Sequence, residues 1–311
     1  MKYLLISVVF FLLGSLVTFW VRERYTISIS PKQSATQKAA DNIASTPAAP
    51  SVDWERLRRQ VLPDEGFRLS VAFGDLGPKL LESGAIDLKK IESNFSGDGG
   101  LTDEQKTILT EENEIPISIN EKNATFMVDF FWALGLANKN RILDEGPMAK
   151  DRDQLGNYAS TGGWGLGKAP STELFSNFEL IKLTESQQKT VEEVVAGVFR
   201  PCCGNATSYP DCNHGMAALG LAQYLASKGF TKEEIFNALL KFNSFWFPQN
   251  YLDLAAYFKL MGNDWPQVSS QLVLGSNYSS GQGYTKIKRE LDAKMGVQPP
   301  VGGASGRGCS T

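Results

Sequence analysis

The run P-C-C-G-N-A-T-S-Y-P-D-C-N-H-G-M, residues 201–216, passes straight into an apolar-periodic segment over 216–228 that is closed by Gly229. This pattern predicts a loop delivered onto the start of a buried helix. Three of the four cysteines (Cys202, Cys203, Cys212) and the only histidine, His214, lie inside the run. Gly204, Pro210 and Gly215 supply turn residues and room for close backbone approach.

Working outward, the same helical period recurs on both sides. Upstream, Thr184 with Gln187 makes a capping box for a helix reaching about Phe199, so the loop also begins at a helix end. Earlier still, the apolar segment with Phe126, Met127, Phe130, Phe131, Leu134 and Leu136 is expected at the centre of the core. Downstream, Thr231 with Glu234 opens a helix that Pro248 breaks, and helical patterns return over 252–261, 266–274 and 284–295. Residues 53–62 predict a short helix, 67–73 a strand, 74–78 a turn, and 115–119 a brief extended segment. Two short helices broken at Gly84 and one capped by Thr102 and Gln105 lie between them. Residues 138–172 are glycine-rich and weakly periodic, as expected of a long functional or covering loop. The class is mainly α: one multi-helix domain over 52–296.

That domain is expected behind an anchor. Residues 3–21 are apolar and uncharged, long enough to cross a hydrocarbon core of roughly 30 Å. The run ends in Phe19, Trp20 and Val21, unlike the small residues of a cleavage site, so residues 1–24 read as a retained transmembrane anchor with the lipid bilayer as partner. Residues 25–51 are rich in Ser, Thr, Ala, Gln and Pro, the composition of a flexible tether. The basic residues flanking the span nearly balance, and a long domain behind such an anchor is most simply placed outside the cytoplasm. Residues 297–311 form a Gly- and Pro-rich tail that carries Cys309. The net charge is −3 with no basic stripe, which argues against a nucleic-acid partner.

The cysteine–histidine run supports three chemistries. Thiolate and imidazole suit zinc or copper, and thiolate also suits iron, so the first reading is a transition-metal site using Cys202, Cys203, Cys212 and His214, with metal-dependent redox work as a possible role. Neighbouring side chains tend to diverge, so only one of Cys202 and Cys203 is expected on a given ion. The remaining position would fall to the other cysteine, Cys309, Met216 or water, with Asp211 a further ligand or a helix cap and Asp253 a candidate to orient the imidazole. The second reading is structural disulfides in a non-enzymatic envelope interaction domain. The third is a thiol oxidoreductase, with Cys212 at a helix N-terminus and His214 as its base.

Other motifs carry less. G-G-W-G-L-G-K-A, residues 162–169, nearly matches a phosphate-binding loop, but Ala169 stands where magnesium needs a hydroxyl and Pro170 follows, so no nucleotide is expected and Trp164 reads as packing. Asp129 sits in an apolar helix and is expected at the rim of its apolar face.

Overall fold

The computed structural model describes residues 52–296. The anchor expected over 3–21, the tether over 25–51 and the tail with Cys309 lie outside the described residues. Among the described residues, no helix is long and apolar enough to cross a membrane.

Helix α1 (Trp54–Val61) starts under Asp53, whose carboxylate accepts from the Arg56 N–H. Strands β1 (Phe67–Gly74) and β2 (Asn113–Ile119) pair antiparallel, with Phe67 opposite Ile119 and Gly74 opposite Asn113. Helices α2 (Leu76–Glu82), α3 (Leu88–Asn94) and α4 (Asp103–Thr110) lie between them, the last behind the expected Thr102–Gln105 capping box. The segment over 74–78 is not a free turn. Pro78 occupies the first turn of α2, where a missing N–H costs no helical bond.

The long region after residue 138 also departs from expectation. It is a chain of short pieces: α6 (Arg141–Glu145), a 3₁₀ run (Pro147–Asn157), α7 (Ala159–Gly162) and α8 (Ser171–Leu174). Trp164 holds it down as packing, its indole N–H donating to the Ala85 carbonyl at 2.9 Å and its ring lying 4.9 Å from that of Trp132.

The remaining helices are α9 (Glu185–Ala196), α10 (Asn213–Ser227), α11 (Lys232–Trp246), α12 (Pro248–Leu260), α13 (Ser270–Leu274), α14 (Ser276–Ser279) and α15 (Gly281–Lys294). Capping boxes at Thr184 and Thr231 open α9 and α11. Pro248 ends α11 and starts α12, since proline is well suited to a first helical position.

The centre of the fold is the crossing of α5 (Ala124–Ala137) with α10. Both helices are buried on almost every side, as their unbroken apolar composition requires. They touch backbone to backbone at two glycines. A Cβ on Gly135 would lie 2.0 Å from the Met216 carbonyl oxygen, and one on Gly220 would lie 2.2 Å from that of Phe131. No side chain fits there. The Tyr224 hydroxyl then ties α10 to β1 by donating to the Ala72 carbonyl at 2.7 Å.

Asp129 of α5 is buried rather than at a rim, with the Asn94 amide donating to its Oδ2 at 3.3 Å. Burial raises its pKa to about 7. The folded state therefore binds a proton more tightly than the unfolded chain, and this group costs stability increasingly as pH rises from about 4 through 7. We expect Asp129→Asn to be more stable than wild type at pH 8, by on the order of 3 kcal/mol, with the gap closing towards pH 4; urea midpoints at the two pH values measure it. At the seam, Gly220→Ala forces the two backbones apart. Its expected cost is about 2 kcal/mol or more, read from the same urea curves.

Candidate metal centre

The loop between α9 and α10 is pinned at both ends. The Thr207 N–H donates to the Val198 carbonyl and the Ser208 N–H to that of Val195, folding the loop back on the end of α9. On the far side the Ser160 N–H of α7 donates to the Asp211 carbonyl at 3.1 Å. From the carboxy-terminal part of the chain, the Gly281 N–H at the start of α15 donates to the Cys203 carbonyl at 2.8 Å.

Within this frame the three thiols converge. Cys212 is the N-cap of α10, its Sγ accepting from the Gly215 N–H at 3.4 Å. Cys202 Sγ lies 3.6 Å from it and Cys203 Sγ 3.9 Å, and all three sulfurs fall within 4.8 Å of one another. None of the three is in a disulfide. The expectation that Cys202 and Cys203 would diverge is corrected: the turn after Arg200 and the Gly281 contact bend their backbone so that both sulfurs meet Cys212.

The spacing suits a metal. Four sulfurs at about 2.3 Å from a tetrahedral zinc stand roughly 3.8 Å apart, close to the separations found, whereas a disulfide needs about 2.05 Å. The three cysteines could therefore hold a metal ion.

Sequence reasoning missed the residue on which the cluster rests. Arg200 is wholly buried, and its Nε donates to Cys212 Sγ at 3.0 Å. One terminal nitrogen donates to the Asn205 carbonyl at 3.0 Å, and the other to Asp211 Oδ1 at 3.1 Å. The Asn205 amide in turn donates to Asp211 Oδ2 at 2.7 Å. Gly215 makes room for this fork, because a Cβ there would sit 2.3 Å from Arg200 Nη2. The signal was a basic residue directly before P-C-C, a poor flag without knowledge that it turns inward.

The electrostatics follow from this packing. Burial disfavours the Arg200 charge, yet the sulfurs of Cys212, Cys203 and Cys202 outweigh it and push the pKa up. Hydrogen bonds from Cys202 and Cys203, together with the Arg200 charge, overcome burial and hold Cys212 well below the ordinary thiol range. Cys203 goes the other way: its bond with Cys202 lowers it, but the bond to Cys212 and burial carry it up to about 11. One sulfur is thus the preferred anion.

The other expected ligands sit elsewhere. His214 does not belong to the group of converging ligand atoms. Its Nδ1 is 2.9 Å from Asn213 Oδ1, and its ring packs 4.5 Å from that of Phe247 and 5.8 Å from that of Trp246. Burial, and to a lesser extent Arg200, bring its pKa down to about 4 against the pull of Cys212, so the imidazole is neutral at pH 7. Asp211 has both carboxylate oxygens engaged by Arg200 and Asn205. Met216 lies in the hydrophobic core. Asp253 accepts from Gln249 at 2.9 Å and from the Tyr284 hydroxyl at 2.7 Å, joining α12 to α15 rather than orienting an imidazole.

Arg200→Met leaves a buried thiolate and Asp211 without their counter-charge. It should cost about 3–5 kcal/mol of stability and move the half-point of Cys212 alkylation to higher pH, followed by peptide-resolved mass spectrometry. The chain matches no protein-family model, no curated protein and no solved structure, so its function has to be read from these thiols and their partners.

Proposed function

We propose that this is a metal-binding protein that takes a soft or borderline ion, zinc or copper(I), through Cys202, Cys203 and Cys212. The observation that carries the proposal is the convergence of the Cys202 and Cys203 sulfurs on that of Cys212, at 3.6 and 3.9 Å, with the buried Arg200 guanidinium against Cys212. Thiolates bind such ions as anions, and Arg200 lowers the cost of gathering them in one place. Three protein ligands leave a position for an outside ligand, as in sites that exchange or react at the metal. In this proposal residues 1–24 anchor the chain in a membrane and the tether presents the domain outside the cytoplasm.

The ion would supply Lewis acidity, or one-electron chemistry if it is copper. The chain's own residues hold the sulfurs together, keep Cys212 deprotonated and restrict water on the side closed by Arg200. The runner-up is a thiol oxidoreductase at Cys212, favoured by the opposed proton affinities of Cys212 and Cys203. Cys212 is only 5% exposed, which weighs against direct attack on a bulky substrate.

The test is metal stoichiometry on the reduced full chain. Close to one zinc or copper(I) per chain is expected. Binding should fall at least about 100-fold in Cys212→Ser, while His214→Ala keeps it. No uptake by the fully reduced chain would overturn the metal reading, and loss of binding in His214→Ala would return the imidazole to the ligand set.

A further inference from the structure

The three sulfurs are not equivalent in position. Cys202 and Cys203 are both half-buried, whereas Cys212 is almost fully covered and sits between the Arg200 Nε donor and the Gly215 N–H. Cys203 is held along its backbone, its N–H donating to the Arg200 carbonyl at 3.4 Å and its C=O accepting from Gly281 at 2.8 Å. Cys202 is also the closer of the pair to Cys212, at 3.6 Å against 3.9 Å. A small oxidant therefore meets the Cys202–Cys203 pair before Cys212, and of that pair Cys202 has the shorter path to the Cys212 sulfur. A second sulfur, supported by a guanidinium, waits within reach behind it.

We infer that Cys202 and Cys212 form an oxidative modification site for hydroperoxides, closing a disulfide that dismantles the three-sulfur cluster. The step balances as follows. Cys202 sulfur attacks the distal oxygen of the peroxide, so an S–O bond forms and the O–O bond breaks. The alkoxide, or hydroxide in the case of hydrogen peroxide, leaves with the thiol proton as an alcohol or water. The Cys212 thiolate then attacks the sulfenic sulfur of Cys202, forming the S–S bond and breaking the S–O bond; the hydroxide expelled takes a proton from solvent and leaves as water. Two sulfurs are each oxidised by one electron, and the two electrons reduce the peroxide bond. Closing the bond takes the sulfurs from 3.6 Å to about 2.05 Å, an approach that rotation of the two side chains has to supply because the loop backbone is pinned.

The inference adds regulation to the proposed metal site. Two of its three sulfurs are consumed, and Cys203 alone cannot hold the ion. Arg200 favours the return reaction as well, because it stabilises the Cys212 thiolate released on reduction. Oxidation by a peroxide and recovery by a dithiol would therefore empty and restore the site.

The experiment uses the full chain carrying Cys309→Ser, reduced, loaded with zinc and treated with equimolar hydrogen peroxide. Expected are loss of two of three thiols, a Cys202–Cys212 disulfide in the peptide map, release of the zinc to a chromophoric chelator, and recovery of zinc binding with dithiothreitol. Cys203→Ser should form the same bond, and Cys212→Ser should accumulate a dimedone-reactive sulfenic acid at Cys202. A disulfide that maps to Cys203, oxidation that runs to sulfinic acid without any disulfide, or zinc retained after the disulfide has formed would each overturn the inference. A chain that takes up no zinc counts against the metal reading alone. The disulfide map of that same metal-free chain still decides whether Cys202 and Cys212 are the oxidation pair.

Discussion

A guanidinium cut off from solvent must find its counter-charges within the protein, and nearly everything around the cysteine loop answers that demand. Taking an arginine out of water costs several kcal/mol unless its donors and its charge are both met. Arg200 meets them with a thiol sulfur, a carboxylate and a backbone carbonyl, each supplied by the loop that follows it. The loop therefore has little freedom to do anything but wrap the side chain. Gly215 belongs to the same constraint, since any side chain there would occupy the space of the guanidinium.

The seam between α5 and α10 translates that local constraint into the fold. Gly135 and Gly220 let the two backbones meet, which fixes the position of α10 and hence of its N-cap, Cys212. A shift of α10 along its neighbour would carry Cys212 away from Cys202 and Cys203. The apolar crossing and the polar cluster are thus two ends of one mechanical element: close packing places Cys212, and the hydrogen bonds of Arg200 and Gly281 place the sulfurs around it.

The helices were legible because their signals are local. Thr102, Thr184 and Thr231 each stand three positions before a Gln or Glu, and each opens a helix. The same locality misled at Pro78, whose surroundings look like a turn although a proline is equally at home in a first helical turn. The site was legible as a place and much less so as an arrangement. Proximity in sequence picked out the cysteines. Convergence of the adjacent pair depends on contacts from α15, and the inward turn of Arg200 on a glycine after the loop. His214 stood out as the only histidine, but two aromatic residues on α11 and at its end claim its ring, and no spacing rule reveals that. Asp129 looked like a rim residue because one carboxylate on an apolar face is usually tolerated only there.

The hydrogen bond from Gly281 to Cys203 sets this loop apart from ligand motifs that are complete in a short stretch of sequence. In a zinc-finger knuckle the peptide itself holds the ion. Here the carbonyl of the second cysteine of the pair is positioned by a helix encoded close to the end of the domain, and a Cβ on the glycine at its start would lie 3.2 Å from the Pro201 carbonyl oxygen. A chain cut before α15 would keep the cysteines and lose the contact that bends Cys203 toward its neighbours. The arrangement of the three sulfurs is thus a property of the whole domain rather than of the loop that carries them.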